Sequence, residues 1–496
     1  MAKLTKNHEP KTNDRSITSR REDFSQWYLD IIEAAQLAEH SPVKGSMVIK
    51  PYGYAIWENI QQTLDRMFKD TGVENAYFPL FIPESFLKRE AEHVAGFAPE
   101  VAVVTHAGGK KLDEPLIVRP TSETIIYDVF SRWIQSYRDL PLLINQWCNV
   151  VRWEMRPRLF LRTTEFLWQE GHTVHATQAE AEGRVKQMIE VYRDFVEDYL
   201  AMPVIVGFKS ESEKFAGAVY TLCIESMMQD AKALQAGTSH MLGQNFAKAF
   251  NVKFLNKEGQ EEFGWQTSWG VSTRLIGGLI MAHSDDKGLV VPPKIAPIQA
   301  VIIPIWASEQ EKISVFNAAS NLVADLEAAN VKVKLDDREG RPGPKFFAWE
   351  KKGVPIRVEI GPKDVAQNSV VMVRRDTRDK QTVKMAGLGA RVAGELEAIQ
   401  KNLYQRAFDF RTKNTREIDD WDEFKIILKD KGGFIMAHWC SSAECEAKVK
   451  TETKATIRCL PFGQPAKGWS ASGGKKGQCV VCGKKSSSRV LFAKAY

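Results

Sequence analysis

The sequence lacks every feature that would send a protein into or across a membrane. No apolar run approaches the roughly 20 residues needed to span a bilayer. The first twenty residues are polar and basic and contain no apolar core, so they do not form a secretory signal. We therefore expect a cytoplasmic protein without membrane contacts, in which residues 1–20 form a flexible basic arm.

Cysteine is scarce over most of the chain and crowded near its end. Cys148 and Cys223 stand alone in apolar surroundings, and we expect both to be core thiols. The other five of the seven cysteines lie within the last 57 residues. In a chain without a secretory signal, such clustering favours a metal site over disulfide bonds.

The spacing inside this cluster is typical of a zinc site. Four of the thiols form two short pairs, Cys440-x4-Cys445 and Cys479-x2-Cys482. Four thiolates complete the tetrahedral coordination of Zn²⁺ and leave no open position, so we predict a structural zinc ion. The linker between the pairs is long for a zinc finger, and Cys459 is left over as a free, buried thiol.

Acidic residues are under-represented in the last part of the chain. Residues 401–496 contain 19 Lys and Arg against 10 Asp and Glu, although the whole chain has a net charge of only +6. A basic terminal segment suits a polyanion such as RNA, and charge alone predicts this function weakly.

The most informative stretch present is 145–172, whose pattern predicts strand, charged loop and strand. Pro157 marks the turn. Arginine forks match phosphate oxygens two at a time, so a hairpin with four arginines and one acid is a candidate cradle for a nucleoside triphosphate. A surface hairpin with solvated charge is the alternative. The charged residues are Arg152, Glu154, Arg156, Arg158 and Arg162.

Apolar spacing predicts the elements around this hairpin. A strand at 116–123 should run into a polar turn and then a helix, with Thr121 or Ser122 as its cap. A short helix should follow Ser272, with Arg274 near its start. The other elements expected before residue 297 are helices over 22–38, 54–70, 180–200 and 217–229, and strands over 76–83 and 203–208.

A proline-rich joint at 291–297 marks a domain boundary. Beyond it, strands and helices alternate, which indicates a small α/β domain. Residues 395–430 have a helical pattern, and the cysteine-rich tail follows. The strands are expected over 299–305, 331–335, 355–360 and 369–374, and the helices over 308–329 and 343–352.

Five stretches resemble, in the same order along the chain, the signatures of class II aminoacyl-tRNA synthetases and, among them, the prolyl-tRNA synthetases. The helix and strand that lead to Pro79 resemble motif 1, residues 151–162 resemble motif 2, and residues 270–274 resemble the reduced motif 3. Residues 119–123 and 237–240 resemble the amino-acid-pocket signatures.

The chain ends in tyrosine, as does the archaeal and eukaryotic-like form of this family. By resemblance, the carboxylate of Tyr496 folds back toward the catalytic domain. A frayed terminus is the alternative.

The resemblance implies an α/β multidomain fold. Residues 21–296 would form a class II catalytic domain built on an antiparallel sheet. Residues 297–400 would form an α/β anticodon-binding domain, and residues 401–496 a small zinc-binding domain. A homodimer through motif 1 is also implied, with ordinary core packing of that region as the alternative.

The resemblance further implies an ATP-dependent ligase that makes prolyl-adenylate from L-proline and then transfers proline to the 3′ end of tRNA(Pro). The nucleophile of the first step is already a carboxylate, so catalysis depends on alignment and charge stabilisation. Mg²⁺ should bridge the phosphates.

By resemblance, Arg152 holds both the α-phosphate and the amino-acid carboxylate, and Arg274 packs over the adenine. These two are the catalytic candidates. Glu154 would accept from the adenine amino group, and Arg162 would reach the outer phosphates. The remaining ATP contacts implied are Gln235, Thr238 and Ser272.

Proline presents a charged secondary ammonium and a compact apolar ring. By resemblance, Thr121 and Glu123 accept the two ammonium donors. Ordinary core packing is the alternative for the aromatic members of this pocket. The other proline contacts implied are Arg152 and Ser272, the ring-enclosing residues Trp168, Phe215 and His240, and the residues that order them, Glu170 and His172.

The run 341–357 carries the resemblance in the α/β domain. Within it, Glu350 and Arg357 are candidates for reading anticodon guanines, because carboxylates and arginines match guanine edges. Simple surface charge is the alternative for each.

The large editing insertion of bacterial-type relatives is missing, because only about a hundred residues separate motif 2 from motif 3. We therefore expect no in-chain hydrolysis of mischarged tRNA. One rival is a synthetase for threonine, which would need a zinc-binding trio in its pocket. Another is a non-catalytic paralogue that binds RNA or senses amino acids, in which Arg152, Glu154 and Arg274 should be lost.

Overall fold

The computed structural model describes residues 17–87, 100–462 and 476–496. Within these ranges, none of the helices is both long enough and apolar enough to cross a membrane. The helices before residue 297 are α1 (Phe24–Ala34), α2 (Pro51–Lys69), α3 (Glu123–Trp133), α4 (Gln178–Asp198), α5 (Asn245–Phe250) and α6 (Arg274–His283). The strands of this part are β1 (Ala38–His40), β2 (Met47–Ile49), β3 (Glu74–Asn75), β4 (Phe81–Pro83), β5 (Ala102–Ala107), β6 (Lys110–Val118), β7 (Leu142–Val151), β8 (Glu165–His175), β9 (Val204–Phe208), β10 (Tyr220–Met227), β11 (Ala233–Gly243), β12 (Lys253–Leu255), β13 (Glu261–Phe263) and β14 (Trp265–Ser272).

The rest of the chain continues as a mixture of helices and strands. Its helices are α7 (Glu309–Ala328), α8 (Pro342–Lys351), α9 (Pro362–Ala366), α10 (Leu388–Lys413), α11 (Trp421–Asp430) and α12 (Ala443–Thr453). Its strands are β15 (Ala300–Pro304), β16 (Val333–Leu335), β17 (Ile356–Ile360), β18 (Ser369–Arg374), β19 (Lys380–Lys384), β20 (Thr415–Glu417), β21 (Phe434–His438), β22 (Thr456–Pro461), β23 (Gly477–Gln478), β24 (Lys485–Ser486) and β25 (Arg489–Ala493).

A sheet of eleven strands, counted over the described residues, joins the first and last parts of the chain. Its order is β20-β21-β25-β22-β9-β10-β11-β14-β8-β7-β3. All neighbours from β21 to β7 are antiparallel, and only the two edge pairs are parallel. This arrangement confirms the expected antiparallel sheet of a class II core.

Helix α4 packs along the middle of this sheet, against β10, β11 and β14. It begins at a capping box, in which Thr177 Oγ1 accepts from the N–H of Glu180 and the Glu180 carboxylate accepts from the N–H of Thr177. Its apolar stripe is buried, because the sheet covers one face of the helix. The buried members include Val185, Met188, Ile189, Tyr192, Phe195 and Val196.

Residues 297–413 form the separate α/β layer that the alternating pattern predicted. Its five strands have the order β16-β15-β17-β18-β19, with the first three parallel. The layer contacts the first part of the chain at the end of α8, where Lys351 O accepts from the N–H of Leu289 over 3.0 Å. Arg375 adds two bonds of 2.7 and 2.9 Å to the carboxylate of Asp285.

The predicted domain limits at 20, 296 and 400 stay predictions. Arg20 pairs with Asp286 over 3.1 Å, and α10 passes through residue 400 without a break. Four strands of the tail, β20, β21, β22 and β25, join the large sheet, whereas β23 and β24 form a two-stranded sheet of their own.

The structure corrects several predicted elements. Residues 217–229 do not form a helix, because Tyr220–Met227 is strand β10, hydrogen-bonded on both sides to β9 and β11. The apolar run there is buried on both faces, and such a run does not reveal its period. Residues 395–430 are not one helix either, since β20 separates α10 from α11. The predicted strand over 76–83 is reduced to Phe81–Pro83.

Candidate active site

The hairpin predicted from residues 145–172 is formed by β7 and β8, which pair antiparallel with Cys148 opposite Trp168 and Gln146 opposite Glu170. Arg152 follows β7 directly, and its Nε donates to Pro120 O over 2.8 Å. Its guanidinium carbon lies 5.2 Å from the ring centre of Trp168. The side chain is thus aimed between the hairpin and the turn at 119–123.

A cavity of about 310 Å³ opens beside Arg152. It lies over β8, β10, β11 and β14, where the large sheet presents one face to solvent. A second cavity of about 220 Å³ shares Arg152, Phe166, Ser272 and Arg274 with it. The predicted residues that line the first cavity are Thr121, Glu123, Arg152, Trp168, Glu170, His172, Phe215, Gln235, Thr238, His240, Ser272 and Arg274. Those that line only the second are Glu154 and Arg162.

One wall of the cavity is a network around the buried carboxylate of Glu170. This carboxylate accepts from Ser122 Oγ, from Gln146 Nε2 at 2.9 Å, and contacts His172 Nε2 at 3.1 Å. The other ring nitrogen of His172 bonds to Tyr127 OH at 3.0 Å. Burial alone would raise the pKa of Glu170, but the hydrogen bond and charge of His172, with the bonds from Ser122 and Gln146, outweigh it and lower that pKa.

Glu123 lies in the same buried wall, but its pKa is shifted in the opposite direction to that of Glu170. Burial raises its pKa, and the neighbouring charge of Glu170 adds to the rise, while His172 and the Thr121 hydroxyl act against it. Thr121 Oγ1 donates to Glu123, and Ser122 Oγ donates to Glu170. Neither hydroxyl caps α3, so the capping prediction is wrong: both side chains turn toward the carboxylates, and their oxygens accept no N–H of the first helical turn.

The aromatic wall of the cavity is formed by Phe215 and His240, whose rings lie side by side with centres 4.7 Å apart. Thr221 Oγ1 connects them, since it accepts from Phe215 N at 3.0 Å and contacts His240 Nδ1 at 2.9 Å. Burial, reinforced by the nearby charge of His172, lowers the pKa of His240 to about 3. His240 is therefore a neutral member of the wall at pH 7.

The opposite end of the cavity is strongly cationic. Ser272, at the end of β14, accepts from the N–H of Arg274 at 3.2 Å, and Arg274 Nε donates to Leu161 O at 3.3 Å. Burial, with the positive charges of Arg162 and Arg152, lowers the pKa of Arg274 to about 10, so it stays protonated at pH 7. Arg162 pairs with Glu154 over 3.3 Å. Three guanidinium groups thus converge where an anion would sit.

The two candidates for reading anticodon guanines lie in the α/β layer. Glu350 and Arg357 line a cavity of about 170 Å³, and its other charged lining residues are Arg374, Arg375, Arg378 and Lys380. Arg357 is held by Glu359 at 2.9 Å and lies 4.5 Å from the ring centre of Phe346.

The four predicted zinc ligands come together although 33 residues separate the two pairs. All four sulfur atoms lie within 4.8 Å of one another. Cys440 Sγ is 3.7 Å from Cys445 Sγ and 3.6 Å from Cys482 Sγ. A tetrahedron with zinc–sulfur bonds of about 2.3 Å has edges of about 3.8 Å, so these spacings fit Zn²⁺. The N–H of Lys484 lowers the pKa of Cys482 to about 7, which favours the thiolate.

The C-terminal tyrosine lies against the first part of the chain. The N–H of Tyr496 donates to Ala233 O, and its hydroxyl donates to Asp230 over 2.5 Å. The guanidinium of Arg158, in the loop of the hairpin, lies 5.3 Å from the Tyr496 ring centre. The terminus is therefore docked rather than frayed.

Comparison with known proteins agrees with this geometry. Residues 105–283 match the family model described as tRNA synthetase class II core domain (G, H, P, S and T), residues 299–395 match "Anticodon binding domain", and residues 421–496 match "Prolyl-tRNA synthetase, C-terminal". A proline–tRNA ligase of Chloroherpeton thalassium is 59% identical over 97% of this chain and 99% of its own length.

The chain belongs to the proline–tRNA ligase family. Other family members similar to it are those of Chlorobium phaeovibrioides, at 57% identity, and Porphyromonas gingivalis, at 55%. Each of these comparisons covers 97% of this chain and 99% of the relative. The family predicted from the motifs is confirmed.

Several cavity residues were missed by sequence reasoning. Ser268 lines the cavity, and its buried hydroxyl has no hydrogen-bond partner among the described residues. Side chains alternate between the two faces of a strand, so Ser268 lies on the same face of β14 as Ser272, and the sequence alone could have indicated this. Lys209 and Thr221 had no such signal. Cys148, predicted to be a core thiol, instead accepts from Trp168 Nε1 at 3.2 Å, and its burial raises its pKa.

The lowered pKa of His240 makes a testable contribution to pH stability. An unfolded histidine binds a proton below about pH 6.5, whereas folded His240 does so only near pH 3. Its contribution is therefore complete above pH 6.5 and declines as the pH falls toward 3. Between pH 7 and 4.5, the wild type should lose more unfolding free energy than His240→Asn, by about 1–2 kcal/mol after solvent screening.

The measurement is urea unfolding of both chains at the two pH values. His106→Asn is the matched control, because it makes the same substitution at an exposed histidine outside the cavity. Equal pH dependence of the wild type and His240→Asn would show that His240 titrates normally.

Proposed function

We propose that this chain activates L-proline with ATP, releasing pyrophosphate, and then transfers proline from the adenylate to the 3′ end of tRNA(Pro). The observation that carries the proposal is the convergence of one acidic, one apolar and one cationic wall on a single cavity in a member of the proline–tRNA ligase family. Each wall matches one part of the reactants. We expect no in-chain editing of mischarged tRNA, and hydrolysis of alanyl-tRNA by the chain would contradict this.

The acidic wall suits the secondary ammonium of proline. Glu170 keeps its negative charge through its hydrogen bonds with Ser122, Gln146 and His172, and Glu123 gains a compensating cation when the ammonium arrives. Thr121 holds Glu123 in place. The role proposed for Glu170 and His172 is to order this wall rather than to react.

The apolar wall suits the ring. Trp168, Phe215 and a neutral His240 can contact it without placing a second positive charge beside the ammonium. A protonated histidine there would repel the substrate. The structural support for this role is thus electrostatic as well as steric.

The cationic wall suits the triphosphate and the proline carboxylate. Arg152 lies between the proline end and the nucleotide end, which supports its proposed grip on the α-phosphate and the carboxylate together. Arg274 is placed to stack on adenine, and Arg162 to meet the outer phosphates once it releases Glu154 for the adenine amino group. Gln235, Thr238 and Ser272 complete the proposed ATP contacts. Mg²⁺, when bound, would neutralise phosphate charge.

Because the reaction depends on alignment, one substitution should remove most of it. Arg152→Ala should lower kcat/KM in proline-dependent exchange of pyrophosphate into ATP by at least about a hundredfold, the usual loss when a charge-stabilising donor is removed. Arg156→Ala is the matched control, since Arg156 is exposed on the same loop and lines neither cavity.

Two further measurements separate the proposed function from its alternatives. Arg357→Ala should leave exchange unchanged but lower tRNA charging by roughly tenfold or more, as expected for loss of a base-reading contact. Exchange that depends on threonine, or on no amino acid, would favour one of the rival readings. Full exchange activity in Arg152→Ala would contradict the assigned roles.

We further propose that the three regions of the chain have the separate roles that the family implies. Residues 21–296 would carry the chemistry, residues 297–400 would read the anticodon through Glu350 and Arg357, and residues 401–496 would hold zinc. The cluster of guanidinium groups in the cavity that contains Glu350 and Arg357 supports the anticodon assignment.

Zinc is proposed for the cysteine cluster because the sulfur spacings match its coordination shell. The purified chain should contain about one zinc ion. Cys445→Ser should lose it, while Cys459→Ser, which changes a buried thiol outside the cluster, should retain it. Atomic absorption measures both. Equal zinc contents in the two variants would refute the assignment.

A homodimer through motif 1 is proposed as well. Supporting it, Tyr54 on α2 is 41% exposed, Tyr77 is 70% exposed and Phe81 on β4 is 46% exposed, which leaves apolar area open at this region. Sedimentation of the full chain should give a dimer that Tyr77→Asp weakens. Ile313→Asp, at an exposed position on α7, should not change it. A wild-type monomer would contradict the proposal.

A further inference from the structure

The loop between β9 and β10, residues 209–219, forms part of the wall around the proposed proline site. It brings Lys209, Glu213, Lys214 and Phe215 to the cavity. The loop contains turns but no helix or strand, so its own backbone fixes its shape only in part. The contacts that hold this loop in place must therefore come largely from neighbouring elements.

The C-terminal segment supplies the first of these contacts. Ser210 Oγ donates to Glu446 Oε1 over 2.5 Å, and Ser210 is only 2% exposed and Glu446 7% exposed. Glu446 lies on α12, directly after Cys445. A buried hydrogen bond to a carboxylate is among the stronger polar contacts in proteins.

Ser210 also anchors the turn that leads to the cavity. Its carbonyl accepts from the N–H of Glu213 at 3.1 Å and from the N–H of Lys214 at 2.9 Å. Phe215 follows at once and contacts the ring of His240. A displacement of Ser210 therefore moves the aromatic wall of the cavity through a short, continuous chain of bonds.

A second contact reaches Lys209 from the same segment. Lys209 Nζ donates to Glu225 Oε1 at 2.8 Å and to Arg458 O at 2.9 Å. Arg458 in turn bonds the Glu225 carboxylate at 3.0 and 3.1 Å. These three charges are buried and mutually paired, so each has few alternative positions.

The backbone joins the two segments as well. Strand β22 pairs antiparallel with β9, with Leu460 opposite Phe208. A Cβ atom on Gly207 would collide with the carbonyl of Leu460, so glycine permits this close approach. The loop therefore begins at a strand that the C-terminal segment already fixes.

We propose that Glu446 and Arg458 are positioning residues for proline recognition: from outside the cavity they hold the 209–219 loop so that Phe215 and Lys209 keep their places in its wall. The inference rests on the proposed function, which it deepens. It assigns the C-terminal segment a role in amino-acid binding that does not involve tRNA.

The test is a double-mutant cycle on the Ser210–Glu446 bond, read by proline-dependent pyrophosphate exchange without tRNA. Ser210→Ala and Glu446→Ala should each raise KM for proline by roughly three- to tenfold, with KM for ATP and kcat changed less than about twofold. The double variant should be no worse than the single ones. Glu446→Gln, which can still accept the hydroxyl, should restore most of the loss.

Glu444→Ala is the matched control, because Glu444 is exposed on the same helix. A second readout needs no activity: trypsin should cut after Lys214 faster in Glu446→Ala than in the wild type or Glu444→Ala. Additive effects in the cycle, or equal changes in KM for proline and ATP, would overturn the inference and leave a purely structural role.

The two proposals fail in distinguishable ways. A wild-type chain without proline-dependent exchange would contradict the proposed function, and the trypsin readout would then decide alone whether the segment holds the loop. A wild-type chain that is active, with variants that match it in both readouts, would overturn the inference only.

Discussion

The carboxylate of Glu170 is the constraint on which the candidate site depends. A buried carboxylate is stable only when hydrogen bonds replace its water, and here the donors come from the turn at Ser122, from Gln146 on β7 and from His172 on β8 itself. Three elements must converge to satisfy one charge. The same convergence brings Thr121 and Glu123 against the hairpin and so builds the acidic wall.

The charge distribution across the cavity is a second organising feature. Acidic groups occupy one end, Arg162 and Arg274 occupy the other, and Arg152 lies between them; burial and the repulsion from Arg162 and Arg152 lower the pKa of Arg274. The protein offsets part of this positive charge, through the pair of Arg162 with Glu154 and through the charges of Glu123 and Glu170 near Arg152. An anion that bridges these guanidinium groups would relieve the repulsion between them. The site would then stabilise the charge of its reactants with groups that are already in position.

Much of this could be predicted from the sequence, for identifiable reasons. The six elements predicted between residues 299 and 374 form to within two residues of their predicted limits, helped by polar caps such as Ser308, whereas α9 and β19 were not predicted. The cysteine spacing gave the zinc candidates, and the motifs gave the family. The four arginines of the hairpin indicate a phosphate site from the sequence alone.

The features that could not be predicted depend on contacts between residues that are distant in the sequence. Strand β10 has an apolar run whose period is ambiguous, so only its two neighbours identify it as a strand. Thr121 and Ser122 have the composition of helix caps, yet Glu123 and Glu170 capture their hydroxyls. Lys209 is held at the cavity by Glu225 and by Arg458, and the second of these is about 250 positions away.

The position of β22 in the large sheet has a consequence for how the chain is made. Synthesis proceeds from the N-terminus, so β9 is produced long before its partner and presents an unpaired edge until residues 456–461 arrive. Strand β25, which lies between β21 and β22, is later still. The nascent chain must therefore keep the open edge of β9 from pairing with other chains until residue 461 has been added.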